Sequence, residues 1–184
     1  MRSARRARSP ASPSRGSRVT SIDEGARRAA DSDIAAVTEL AVTAAAELAP
    51  RRGGYVWARL EARAEPLEQS LDRDHRSDDA LVVVGTIDEA VVGYGVIRLV
   101  ELHDGAVLGR VTDIYVMPEA RGVGVGEAMM DALMDWARRR ACIGVDSLAL
   151  PGDRETKNFF ETHGLVARAI TVHHSLTDNA KPPR

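Results

Sequence analysis

Read for where its apolar residues fall, the chain alternates between helical and extended stretches. Ile34, Val37, Leu40, Ala41, Ala44 and Leu48 recur at intervals of three and four, behind the N-cap candidates Asp31-Ser32-Asp33 and ahead of Pro50, which predicts a first helix. Past Gly53-Gly54, the set Val56, Leu60, Ala64, Leu67 and Leu71 keeps the helical spacing. Pro66 predicts a break or kink inside it, because proline lacks the N–H that a helix interior needs. Three β-branched runs follow, Leu81 to Ile87, Val91 to Val100 and Val107 to Met117, parted by Asp88-Glu89 and Asp104-Gly105; this is the pattern of an antiparallel meander. Val125, Met129, Leu133 and Trp136 then line one face of an amphipathic helix that should pack on the sheet, with Arg138-Arg139-Arg140 at its electronegative end. A further strand is predicted at Val145 to Leu150, a short helix at Asp153 to His163 closed by Gly164, and a last strand over Leu165 to Leu176. The order predicts one α/β (α+β) domain, a mixed, mostly antiparallel sheet flanked by helices.

Composition narrows this. A length of 184 residues is close to one domain at roughly 150 residues each. With 44% hydrophobic and 28% charged residues the chain can bury a core. The expected organisation is an Arg/Ser/Pro-rich disordered tail at 1–18, a folded domain at 19–177 and a frayed end at 178–184. No apolar run nears the length of a membrane span, and no apolar segment follows the first arginines, so a soluble, unexported, cytoplasmic protein is expected. The lone Cys142 cannot form an internal disulfide and fits a reducing compartment. Six arginines precede Asp23; without them, 19 of the 25 basic residues face 27 acidic ones. Such an acidic body disfavours nucleic acid as a partner of the folded part and favours a cationic acceptor such as an amine.

One segment carries a chemical signal. From Val111 through Met117-Pro118 to Arg121-Gly122-Val123-Gly124-Val125-Gly126-Glu127, a strand ends, a basic residue follows, and three alternating glycines lead into a helix. Alternating glycine lets backbone N–H groups turn toward an anion without side-chain clash, and the helix start adds about half a positive charge there. A phosphate cradle is the reading. A nucleotide P-loop would end in Gly-Lys-Ser/Thr, whereas Gly126 is followed by Glu127-Ala128. A dinucleotide fingerprint counted from Gly122 meets Glu127 at its third glycine and is preceded by antiparallel strands.

These residues resemble the GNAT superfamily of N-acetyltransferases, whose signature is an Arg/Gln-x-x-Gly-x-Gly/Ala loop after a strand ending in Val-x-Pro. Val116-Met117-Pro118 and Arg121 to Gly126 match it, and Asn158-Phe159-Phe160-Glu161-Thr162-His163-Gly164-Leu165 is similar to the family's Phe-Tyr-Glu-x-x-Gly-Phe segment. The likeness spans roughly residues 25 to 176. It implies that the N–H groups of Arg121, Gly122, Val123, Gly124, Val125, Gly126 and Glu127 hold the pyrophosphate of acetyl-CoA. It also implies that Ile114, Tyr115 and Val116 pair with the pantetheine arm in a gap between splayed strands, and that the Val116 N–H faces the thioester oxygen. Asn158 and Phe160 are further cofactor-side residues on this resemblance.

Acetyl transfer to an amine also needs a proton acceptor. An alkylamine with a pKa near 10.4 is presented neutral at pH 7 at a cost of about 4.6 kcal/mol. Simple alternation puts Val111, Asp113, Tyr115 and Met117 on one strand face, opposite Thr112, Ile114 and Val116, and Asp113 is the first candidate base. Where the family often places a tyrosine that protonates the departing thiolate, this chain has Phe160, so solvent, Tyr115 or His163 must serve. Two rival readings remain: an acyl-CoA-binding sensor without turnover, and nucleotide-dependent redox chemistry. His75, His103, His173 and His174 lack metal-ligand spacing, so no metal is expected; His173 or His174 is a candidate for the substrate end of the gap. Asp153 and Thr156 are read first as simple helix-capping positions, with cofactor contact as the alternative, and Arg51, Arg52, Tyr55 and Trp57 fall where the family places a substrate-shaping loop. The acceptor class is a small molecule or peptide amine, and the protein a monomer or homodimer.

Overall fold

The computed structural model describes residues 23–176, so the two tails read at 1–18 and 178–184 lie outside the described residues. Its elements are β1 (Glu24–Arg28), α1 (Ile34–Leu48), α2 (Gly54–Leu60), α3 (Leu67–Arg76), β2 (Ala80–Ile87), β3 (Ala90–Glu101), β4 (Val107–Val116), α4 (Val125–Arg139), β5 (Val145–Asp146) and α5 (Arg154–Thr162). The strands lie in the order β1-β2-β3-β4-β5, antiparallel from β1 to β4 and parallel between β4 and β5.

The expected meander and helices are present, with four differences. The first is β1: Glu-Gly-Ala-Arg-Arg has no apolar alternation, yet it pairs from Glu24↔Ile87 to Arg28↔Val83, because an edge strand needs only backbone partners. Second, the break expected at Pro66 is a gap from Glu61 to Pro66 between α2 and α3, and Pro66 itself stands at the N-cap of α3, where its missing N–H leaves no bond unmade. Third, β5 has two residues rather than the six expected, its ladder with β4 ending at Arg110↔Asp146. Fourth, Leu165 to Leu176 forms no strand and joins no ladder of the sheet.

β2 reads as an unbroken apolar run because both of its faces are covered. Val82 and Val84 pack with Tyr94, Val96 and Tyr115 under α1 and α3, while Leu81 and Val83 pack with Ile97 and Val111 under α4, through Met129, Met130 and Leu133. Glycines let α4 lie close to the sheet: a Cβ on Gly85 would come within 2.4 Å of Val125 Cγ1. The N-terminus of α4 is thereby fixed on β2, and the Cβ position of Gly126 lies 3.9 Å from Val116 at the end of β4.

Asp33 ties β1 to α1. It accepts from Arg27 Nη1 at 2.5 Å and Nη2 at 3.0 Å and from the Ala30 N–H at 2.7 Å. The Arg27 hydrogen bonds hold its carboxyl below the usual value against the opposing effect of burial. A depressed pKa contributes stability above the unfolded value, near 3.9, that is lost as pH falls through the folded one. Asp33→Asn is therefore expected to cost about 1 kcal/mol at pH 7. Its melting-temperature deficit against the parent protein, measured at pH 7 and again at pH 3, should shrink toward zero at the lower pH.

Candidate active site

The site begins where β4 and β5 part. They pair at Gly109↔Val145 and Arg110↔Asp146, and the Val111 carbonyl accepts from Ser147 Oγ at 3.3 Å; beyond that, β4 has no strand on this side among the described residues. Toward β3 the ladder continues, with Met117 N–H donating to the Val92 carbonyl at 2.9 Å and Tyr115 facing Tyr94. Backbone groups alternate sides along an antiparallel strand, so the N–H groups of Ile114 and Val116 point into the open edge.

A bulge sets that aim and overturns the simple alternation. Val96 faces Asp113 but Ile97 faces Val111, so Thr112 is the extra residue. Val111 consequently packs on the α4 side while Asp113 and Tyr115 turn to the α1 and α3 side, instead of all three sharing a face.

The glycine loop is built as expected of an anion cradle. Gly122 and Gly124 have φ of +79° and +103°, in the left-handed region that favours glycine, and Gly124 is the N-cap of α4. The first bond inside α4 is from Ala128 N–H to the Gly124 carbonyl, which leaves the N–H groups of Val125, Gly126 and Glu127 outside the helix ladder. Arg121 departs from the sequence reading. Its N–H closes a tight turn onto the Pro118 carbonyl at 3.3 Å, and its side chain turns inward, donating to the Val116 carbonyl at 2.9 Å and to Glu47 at 3.0 and 3.3 Å.

That arginine begins a chain of charges across the opening. Glu47, at the end of α1, also pairs with Arg51 at 2.9 Å, and Arg51 reaches the buried Asp153, the N-cap of α5, at 2.9 Å. Burial pushes the Glu47 carboxyl up, but Arg121 and Arg51 together bring it below its usual value. Asp153 accepts from Thr156 N–H at 3.1 Å, so both serve as a cap. The α1 end thus bridges β4 to α5, and Tyr115 lies beneath it with Arg121 over its ring. The Tyr115 hydroxyl is raised above its usual pKa, first by burial and then by Glu47.

Asp113 sits in a second network. Arg63, whose side chain is 4% exposed, donates to Asp113 Oδ2 at 2.5 Å and to Asp74 Oδ2 at 2.5 Å. Tyr94 Oη adds a bond to Asp113 Oδ1 at 3.2 Å and Thr112 Oγ1 one to Oδ2 at 2.7 Å, while Arg98 binds Asp74 at 2.7 and 2.8 Å. Burial foremost, then Asp113, raises the Tyr94 hydroxyl well above its ordinary pKa. The Asp113 carboxylate is fully engaged.

On α5, Phe160 is buried in the core and Asn158 is exposed. The residue on the opening is Phe159, which the sequence reading had not singled out: its ring edge lies 3.3 Å from where a Gly126 Cβ would stand. Glu24 was missed too, since β1 itself was; its Cγ lies 3.5 Å from the Cβ position of Gly124. His163 lies tilted against Phe159 with ring centroids 4.7 Å apart, and His173 touches Tyr55 on α2. His75 bonds Asp31 at 2.8 Å from within α3. No group of three or more His, Cys, Asp or Glu side chains that could hold a metal ion occurs among the described residues, nor does any helix long and apolar enough to cross a membrane.

A strand parted from its neighbour beside a glycine loop that opens a helix can be compared with known proteins. The model of the Acetyltransferase (GNAT) family matches residues 42–165, more than half of the chain. The chain belongs to the GNAT acetyltransferase family. Solved structures agree on the GNAT fold. A tetramutant of BH1408 protein from Bacillus halodurans is 18% identical with a TM-score of 0.69, covering 82% of this chain and 99% of its own. Glucosamine-6-phosphate N-acetyltransferase from Arabidopsis thaliana is 18% identical with a TM-score of 0.60, covering 84% and 99%. AAC(6')-Iy in complex with the bisubstrate analog CoA-S-monomethyl-acetylneamine is 12% identical with a TM-score of 0.61, covering 84% and 99%. No curated protein sequence matches. GNAT proteins transfer acetyl groups from acetyl-CoA, and the GNAT match takes in α2 to α5 with the C-terminal half of α1.

Proposed function

We propose that the protein transfers the acetyl group of acetyl-CoA to a primary amine of a small molecule or peptide. The observation that carries this reading is the parting of β4 from β5 beyond Arg110, beside a loop whose free N–H groups lead into α4. When bound, acetyl-CoA supplies the activated thioester and departs as a thiol. The N–H groups of Gly122 to Glu127 are the diphosphate donors, aided by the positive end of α4. Those of Ile114 and Val116 hold the amide arm as an added strand, and the Val116 N–H stabilises negative charge on the thioester oxygen as the amine attacks. Phe159 of α5 walls the arm on that side.

Asp113 takes a different part from the base read in the sequence. Its carboxylate accepts from a buried guanidinium and two hydroxyls, and a proton placed on it would leave Arg63 facing a neutral group. It holds the bulge at Thr112, and through it the direction of the Ile114 and Val116 N–H groups. The amine then loses its proton to water, and kcat/KM is expected to climb about tenfold per pH unit from pH 6 toward the pKa of the amine. A plateau near pH 7 would show a base supplied by the protein.

The assay that tests the function is thiol release from acetyl-CoA across a panel of polyamines, aminoglycosides, amino acids and N-terminal peptides, with release expected for one class. One observation favours the sensor reading. Phe160 is buried and offers no hydroxyl to the thiolate, and a sensor would bind acetyl-CoA and release thiol with none of the panel. A smaller prediction concerns Glu24, whose carboxylate stands beside the cradle: Glu24→Gln is expected to tighten acetyl-CoA two- to fivefold by calorimetry, roughly the 0.3–1 kcal/mol of a helix-end charge.

A further inference from the structure

Among the described residues, two buried side-chain polar atoms lack a hydrogen-bond partner: His75 Nδ1, and the hydroxyl of Tyr115 at the opening. Tyr115 is 8% exposed, so water does not freely supply the bond its hydroxyl lost on folding. Glu47 and Arg121 are the charged groups that act on that hydroxyl.

What surrounds it is a set of acceptors. The Val116 carbonyl points into the open edge with the Val116 N–H, since both groups of a residue face the same side of an antiparallel strand. Glu47 is the last residue but one of α1, where the partial negative charge of the helix end disfavours a carboxylate and favours a cation beside it. Arg51 binds only its Oε1, at 2.9 Å. Arg121 serves the rest, with Nε on the Val116 carbonyl at 2.9 Å and Nη2 on Glu47 Oε2 at 3.0 Å. Arg121 is thus a cation resting among three acceptors, of which it meets two and leaves the Tyr115 hydroxyl unmet.

That occupant can be replaced. The side chains of Arg121 and Glu47 are 31% and 28% exposed, and ion pairs that reach solvent contribute little, so displacing Arg121 costs an incoming cation no more than about fivefold in affinity. A guanidinium is a rigid fork tied here to its loop. A primary ammonium is compact, with three rotatable donors, and three acceptors converging on one point match it. The charge in such a seat is not the amine under reaction, which attacks the thioester only as the neutral base.

We propose that Glu47, the Val116 carbonyl and the Tyr115 hydroxyl bind a second ammonium group of the acceptor, so that the substrate is an amine carrying at least two amino groups. This rests on the acetyl-transfer reading, which puts the thioester at the neighbouring Val116 N–H.

The test is calorimetry of the full chain saturated with CoA, in about 0.15 M salt, titrated with putrescine and, separately, with butylamine. Putrescine should bind at least about tenfold more tightly, as a hydrogen-bonded charge pair requires. Glu47→Gln should erase that advantage and leave butylamine within twofold of the parent, and Tyr115→Phe should reduce the advantage two- to tenfold. Equal affinities in the parent would overturn the proposal. So would a preference that survives Glu47→Gln, which is what a general attraction of dications to the acidic body would produce. Absence of heat when CoA is added alone would count against the acetyl-transfer reading instead, and the same two titrations on the free protein would still decide the seat.

Discussion

Gly124→Glu is expected to abolish binding of acetyl-CoA while the domain stays folded. Gly124 has a φ of +103° and caps α4, so any side chain there carries backbone strain of about 1–2 kcal/mol. Strain alone is a stability effect, and Gly124→Ala measures it. The glutamate adds a second effect, because its carboxylate would stand at the mouth of the cradle with Glu24 already beside it, 3.5 Å from the Cβ position. A unit charge about 4 Å from an anion costs about 4 kcal/mol at an effective dielectric near 20, which is more than a hundredfold in affinity. Acetyl-CoA and CoA should both raise the melting temperature of the parent protein and of Gly124→Ala, and neither should protect Gly124→Glu. Protection of the glutamate variant equal to the parent's would remove the loop from the cofactor site and the acetyltransferase reading with it.

The loop was legible in the chain because it is local: Pro118, Arg121 and three alternate glycines lie within nine residues, and each acts through its own backbone conformation. Helices α1 and α4 were legible for a related reason, an apolar stripe repeating at 3.6 residues over four turns. What the chain hid are features set by partners far along it. β1 has no apolar signature, because an edge strand is selected by the N–H and C=O groups of β2. The bulge at Thr112 carries no special residue, yet it moves Asp113 and Tyr115 to the opposite layer from Val111. Arg63, in a loop that periodicity had assigned to one helix, meets an aspartate fifty positions later. Residues 165–176 alternate as a strand should, yet the segment joins no ladder of the sheet, which the local pattern alone does not reveal.

Arg63→Met is expected to be the most damaging single change outside the apolar core. It removes the guanidinium joining Asp74 to Asp113 and leaves two carboxylates, 8% and 12% exposed, with fewer counter-charges: Arg98 remains for Asp74 and only hydroxyls remain for Asp113. Breaking a buried pair from one side costs about 3–5 kcal/mol, which in a domain of this size lowers the melting temperature by roughly 10 °C. The pH dependence has a definite sign. In the variant the cost comes from a negative charge buried without its counter-ion, and acid removes that charge. The deficit should be largest at pH 7 to 8 and smaller near pH 4. Asp113→Asn in the Arg63→Met background should recover part of the loss, since it removes the stranded charge. Kinetics then separate two roles for Asp113. If it holds the bulge, Asp113→Asn and Arg63→Met should lower kcat by similar factors and leave the rise of rate with pH unchanged in slope. If it accepts the proton of the amine, Asp113→Asn alone should flatten that rise, and Arg63→Met, which frees the carboxylate, should shift the profile and keep its shape.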